Sequence, residues 1–155
     1  MSMHNNRHTM EIKLQHQIES LDLSQQILIV EDVAPERARL EIILSKEGYS
    51  THTARNGQEA LTILEDTPIG IIICDWRMPK MNGLDLLNYL NLYHPIHPYF
   101  IMLTGQGSAS DTIAALDQGA DDFIRKPFLK DELRARVQAG SRVVEMIEQL
   151  RSNTI

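Results

Sequence analysis

Residues 69–75 read IGIIICD, an apolar and mostly β-branched run closed by a single carboxylate, Asp75. A strand that is apolar at successive positions has two faces to bury, so it belongs inside a sheet covered on both sides. The flanking chain supplies the covering layers. Short apolar strands at 26–31, 49–54, 69–75, 98–104 and 121–126 alternate with helical segments at 34–48, 56–66, 83–93, 109–120 and 130–150. Gly48 follows the first helix, an Asn56-Gly57 turn opens the second, and Pro95 stops the third. Strict alternation of this kind implies an α/β fold with a parallel sheet and right-handed crossovers.

Composition narrows the function classes. A chain of 155 residues with 43% hydrophobic content can bury a core without disulfide or metal staples. It carries 15 basic and 21 acidic side chains, a formal charge of −6, and no Lys/Arg run, so direct nucleic-acid binding is not expected. The one cysteine, Cys74, lies inside the apolar strand and reads as a buried thiol in a reducing cytoplasm. No apolar signal core opens the chain and no stretch reaches the roughly 20 apolar residues of a membrane span, so no membrane association is expected. Residues 1–25 are polar; Leu14, Ile18 and Leu21 at helical spacing suggest an N-terminal arm or short amphipathic helix.

In a parallel α/β sheet, functional groups gather beyond the carboxyl ends of the strands, near the point where strand order reverses. The first strand ends in Glu31-Asp32, the third in Asp75, the fourth in Thr104-Gly105 and the fifth in Lys126-Pro127. Each residue alone has a plain explanation: Asp32 as a helix cap, Lys126 as a surface lysine, Thr104 as a loop hydroxyl. Together they bring three carboxylates, a hydroxyl and an ammonium to one edge. Oxygen-only donors favour magnesium or manganese over zinc. With a lysine and a hydroxyl to hold an oxyanion, these are the parts of a phosphoryl-transfer site in which an aspartate can act as the nucleophile.

The segments ILIVED, ARNGQEAL, CDWRMPKMNG, MLTG and GADDFIRKPF, in this order over about residues 26–140, resemble the receiver domain of two-component response regulators. The resemblance implies a flavodoxin-like (βα)5 doubly wound sandwich with strand order 2-1-3-4-5 and an extended C-terminal helix. It implies that Asp75 is the phosphoacceptor, with a magnesium (or manganese) ion held by Asp32, Asp75 and the Arg77 carbonyl and by Glu31 through water. Thr104 and Lys126 would bind the phosphoryl group, backbone groups of Trp76, Arg77 and Gly105 would touch it, and Phe123 would change rotamer when Thr104 moves. A cis Lys126-Pro127 bond is also implied. Glu31 replaces the commoner aspartate, and Phe123 stands where tyrosine is also common. Arg77 and Gln106 flank the path of an attacking water and are candidates for setting phosphate lifetime.

The implied partners are a sensor histidine kinase or phosphotransfer protein. A second copy could pair through the C-terminal helix or through the surface of the fourth helix, fifth strand and fifth helix. Residues 141–155 read as a helical extension or linker, and RARVQAGSRVVEMIEQL resembles linkers to output domains such as diguanylate cyclases. Leu133, Val137, Gly140, Val144 and Ile147 step by four and three, and the apolar residues Val143, Val144, Ile147 and Leu150 are expected to need a partner outside the domain. Two other functions are weighed against the switch. A phosphohydrolase would place an acid two residues after its nucleophile, where this chain has Arg77. A phosphorylation-independent module would have lost the acid pair, Asp75 or Lys126. His94 and His97, separated by prolines, read as a loop and not as a metal motif.

Overall fold

The computed structural model describes residues 7–10, 22–105 and 109–152. Five strands, β1 (Gln26–Val30), β2 (Ser50–Ala54), β3 (Ile71–Asp75), β4 (Tyr99–Thr104) and β5 (Asp122–Arg125), alternate with five helices. The helices are α1 (Ala34–Lys46), α2 (Gly57–Asp66), α3 (Gly83–Tyr93), α4 (Ala109–Asp117) and α5 (Lys130–Ser152). The sheet is parallel throughout and ordered β2-β1-β3-β4-β5, so strand order reverses between β1 and β3. This is the flavodoxin-like order that the resemblance implies.

Alternation along each strand separates two cores. Leu28, Val30, Ile72, Cys74, Phe100 and Met102 point to one face, against Ala60 of α2, Leu86, Leu87 and Leu90 of α3 and Ala115 of α4. Ile27, Ile29, Ile71, Ile73, Ile101 and Leu103 point to the other, against Leu40, Ile43 and Leu44 of α1 and Leu133 and Val137 of α5. Every residue of β3 is buried, as its two-sided apolar pattern requires. Each fully buried isoleucine is worth about 1.5–3 kcal/mol relative to exposure, so β3 is firmly anchored from both faces.

Helix ends follow local chemistry. Asn56 caps α2 by accepting the Glu59 amide at 2.9 Å, and Asn82 and Asp85 form a reciprocal capping box at the start of α3. Helices α1 and α4 stop short of the ends expected from sequence, at Lys46 and Asp117, because Gly48 and Gly119 enter the left-handed region at φ 96° and 105°.

The C-terminal helix corrects one expectation. Val144 is buried and packs with Val137 in the α1–α5 core, so it needs no partner from outside the chain. A 3-10 turn at Leu23–Gln25 covers this part of α5, and the Ser141 hydroxyl donates to the Ser24 carbonyl at 2.9 Å. Gly140 lets the Tyr99 ring lie against the helix; a Cβ there would sit 2.7 Å from the ring. Val143, Met146, Ile147 and Leu150 are exposed. The expected N-terminal helix through Leu14, Ile18 and Leu21 lies outside the described residues. Val144→Ala is expected to lower the unfolding free energy by about 1–3 kcal/mol, whereas Met146→Ala shifts it by less than about 0.5 kcal/mol. Urea titration of both variants separates the packed part of α5 from its exposed face.

Candidate functional site

The carboxyl ends of β1, β3, β4 and β5 meet at one edge of the sheet. Glu31 follows β1, its amide donating to the Ala54 carbonyl at 3.0 Å. Its side chain is fully buried, and its carbonyl accepts from the Arg37 guanidinium of α1 at 2.8 Å. Asp32 comes next. Asp75 is the last residue of β3 and pairs in register with Leu103. Gly83 lets α3 press on the turn behind Asp75: its amide donates to the Trp76 carbonyl at 2.8 Å, and a Cβ would lie 2.6 Å from the Asp75 carbonyl oxygen. Thr104 is buried at the end of β4, and its carbonyl accepts the Lys126 amide at 2.6 Å. Lys126 follows β5 and precedes a cis bond to Pro127.

The Lys126 ammonium gathers these groups. Its Nζ lies 2.9 Å from Glu31 Oε2, 2.7 Å from Glu36 Oε2 and 3.5 Å from Asp75 Oδ1. Carboxylate oxygens of Glu31, Asp32 and Asp75 lie within 4.8 Å of one another. Among the described residues, Asp32 Oδ1 is the one buried side-chain oxygen or nitrogen without a hydrogen-bond partner. Three converging carboxylates, one with an uncompensated buried oxygen, are a donor set suited to a hard divalent cation.

Burial dominates the electrostatics. It pushes the Glu31 carboxyl from 4.5 up to about 7, with the Asp75 charge adding to the rise and the Lys126 hydrogen bond opposing it. Burial also raises Asp75, again against the pull of Lys126. Burial works to lower the Lys126 ammonium, but pairing with Glu36, Glu31 and Asp75 outweighs it and holds the group above its ordinary value. Glu36, more exposed, is held low by its hydrogen bond to Lys126.

An open cleft of about 400 Å³ lies over these groups, lined by Asp32, Glu36, Asp75, Arg77, Gly105 and Lys126 among others. Arg77 is exposed at its mouth. Phe123, half-buried on β5, meets the Trp76 ring edge-on with centroids 6.4 Å apart. The Trp76 amide donates to the Leu103 carbonyl at 2.8 Å, and its carbonyl accepts from the Gly83 amide at 2.8 Å. Gln106 lies outside the described residues. His97 is engaged with the last turn of α3, Nε2 lying 3.0 Å from Asn91 Oδ1. Glu36 was not foreseen. An acid in the first turn of a helix is ordinarily a partner for the helix dipole, and nothing in its spacing marks it as reaching β5.

Comparison with known proteins decides the family. The family model for the response regulator receiver domain matches residues 27–138. The chain belongs to the response regulator receiver family. The receiver is 39% identical over 129 residues to the transcriptional regulatory protein CpxR of Escherichia coli, covering 82% of this chain and 53% of that protein. It is similar in structure to the signal receiver domain of a signal transduction histidine kinase from Syntrophus aciditrophicus, with 37% identity and a TM-score of 0.70 over 76% of this chain and 90% of that one. It also resembles a CheY-like receiver domain protein from Methanospirillum hungatei, with 29% identity and a TM-score of 0.73 over 79% and 97% of the two chains. The chain thus spans about half the length of the curated relative, 53% of CpxR. Among the described residues no helix is long and apolar enough to cross a membrane.

The raised carboxyls carry a pH signature. Glu31 and Asp75 hold protons more tightly when folded than when unfolded, so in the interval between the two pKa values the folded protein binds more protons and stability falls as pH rises. For Glu31 this contribution is complete below about 4.5 and lost through about 7; Glu36, shifted downward, opposes it at the low end. Metal-free receiver is expected to lose roughly 1–3 kcal/mol of stability between about pH 5 and pH 8, and Glu31→Gln to flatten the profile. Urea titrations across pH in the presence of a chelator check this; a wild-type profile that rises with pH contradicts it.

Proposed function

We propose that Asp75 accepts a phosphoryl group and that the receiver acts as a phosphorylation-dependent switch. The observation that carries this is the Lys126 ammonium placed over Asp75 and Glu31, beside a buried Asp32 oxygen that has no partner of its own. An Asp75 oxygen attacks the phosphorus of a phosphohistidine on a sensor histidine kinase or phosphotransfer protein. The P–N bond breaks, the imidazole nitrogen leaves with its electron pair and takes up a proton, and a mixed anhydride remains on Asp75.

Magnesium or manganese, when bound, would neutralise charge on the transferring phosphoryl group. Asp32, Asp75 and the Arg77 carbonyl would hold the ion directly, and Glu31 through water. Lys126 supplies fixed positive charge on the opposite side, which fits catalysis by positioning and charge neutralisation. The amides of Arg77 and Gly105 and the Thr104 hydroxyl would bind the phosphoryl oxygens. Hydrolysis of the anhydride by water then resets the switch. Arg77, exposed at the mouth of the cleft, would set its rate together with Gln106.

The phosphoryl group adds roughly two negative charges and strong acceptor oxygens. Drawing Thr104 and Lys126 toward Asp75 opens space for Phe123 to turn inward, which remodels the surface of α4, β5 and α5. This is a two-state element biased by local charge. The readout would pass to an output domain, such as a diguanylate cyclase, or to a second copy engaged through this surface or the exposed side of α5, within the cytoplasm. A phosphohydrolase is disfavoured by the arginine at position 77.

Trp76 is the only tryptophan, adjacent to Asp75 and in edge contact with Phe123. Magnesium followed by beryllofluoride, a phosphoryl mimic, is expected to change its fluorescence, and Asp75→Asn to abolish the beryllofluoride response. Indifference of the wild-type signal to both would refute the switch. Arg77→Ala and Gln106→Ala are expected to alter the rate of phosphate loss, followed with radiolabelled protein. Light scattering with and without beryllofluoride tests the association of two copies.

A further inference from the structure

The charge balance over Asp75 includes a residue outside the expected set. Glu36, in the first turn of α1, makes the shortest of the Lys126 ion pairs, 2.7 Å against 2.9 Å to Glu31 and 3.5 Å to Asp75. It is not a remote surface acid, because it lines the same cleft as Asp32, Asp75, Gly105 and Lys126. Nor is it free to wander. Pro35 stiffens the first turn just before it, and the next residue, Arg37, is tied to the Glu31 carbonyl at 2.8 Å. The hydrogen bond to Lys126 keeps its carboxyl below the ordinary range, so Glu36 is an anion at neutral pH.

An ammonium has three donors and one charge. One that is already hydrogen-bonded to two glutamates has less left for an incoming oxyanion. Glu31 is wholly buried and cannot release Lys126 to solvent, whereas the Glu36 side chain is 48% exposed and can be rehydrated on release. We propose that Glu36 is a positioning residue that competes with the phosphoryl group for Lys126, holding the ammonium on the α1 side of the cleft and weakening phosphoryl binding at Asp75. This rests on Asp75 being the phosphoacceptor. The competitor is built into the first turn of α1, so the resting state is favoured by an ion pair that must be loosened before Lys126 can serve the phosphoryl oxygens fully.

Beryllofluoride titration of the full chain at saturating magnesium, read through Trp76 fluorescence, tests the competition. Glu36→Gln removes the charge and keeps the shape. Glu36→Asp keeps the charge and withdraws it from Nζ by one methylene. Both variants are expected to lower the beryllofluoride midpoint, Glu36→Gln by roughly two- to fivefold, the range set by a partly exposed ion pair. Their urea midpoints should stay near that of the wild type, which separates positioning from a change in folding. Unchanged beryllofluoride midpoints in both variants would overturn the proposal. A shift in Glu36→Gln with Glu36→Asp behaving as wild type would also overturn it, because general repulsion at the cleft mouth, and not contact with Lys126, would then be the cause. Loss of any wild-type response would instead remove the phosphoacceptor reading on which the proposal rests.

Discussion

One ammonium holds the functional edge of this receiver together. Lys126 faces the carboxylates of Glu31, Glu36 and Asp75, with Asp32 close by. Without it, several like charges would be pressed together in a setting that hydrates them poorly, and buried acids respond by taking up protons. Glu31 shows the tension: burial carries its carboxyl up to about 7 even though Lys126 pulls the other way. The lysine only partly neutralises the cluster. The remaining negative charge, together with an unpartnered Asp32 oxygen, supports the proposal that a cation completes the site.

The sheet makes that crowding possible. Carboxylates do not assemble spontaneously, so the elements bearing them must be held by something stronger. The buried isoleucines on both faces of β1 and β3 provide it. Asp75 is still in register with Leu103 when its side chain reaches the edge, and the backbone behind it is pinned by the Trp76–Leu103 and Gly83–Trp76 hydrogen bonds. Gly83 has no side chain because the Asp75 carbonyl and the Met102 sulfur occupy the space. Apolar packing thus holds the converging carboxylates together against their mutual repulsion.

Legibility in the sequence followed the range of each interaction. The strands and helices rest on local periodicity and caps, and all ten were visible within a few residues of their observed bounds. The strand-end residues were visible because a parallel sheet brings strand ends together whatever the loops do. Three features were hidden. The helix ends at Lys46 and Asp117 depend on where a glycine turns left-handed. The inclusion of Val144 in the core depends on the 3-10 turn at Leu23–Gln25, which lies over a hundred residues away in the chain. The Glu36–Lys126 contact joins the first helix to the last strand, and no spacing rule links residues separated by 90 positions.

That long-range contact bears on how a shared fold can yield different switches. The family match and the strand-end residues define a common frame, and the proposed chemistry depends on the charges of Glu31, Asp32, Asp75 and Lys126 within it. Position 36 is different in kind. It sits on a helix face that the fold requires only to begin a helix, so its side chain can vary without disturbing β1 or β3. A carboxylate there draws on the same lysine that the proposed phosphoryl group needs, and it does so from a position exposed enough to yield. Equilibria between resting and active states move with small differences in such contacts, since a ligand shifts a population only by its differential affinity for the two states. A residue that touches Lys126 from outside the Glu31, Asp32 and Asp75 donor set is therefore well placed to set the balance point of the proposed switch without taking part in the proposed reaction.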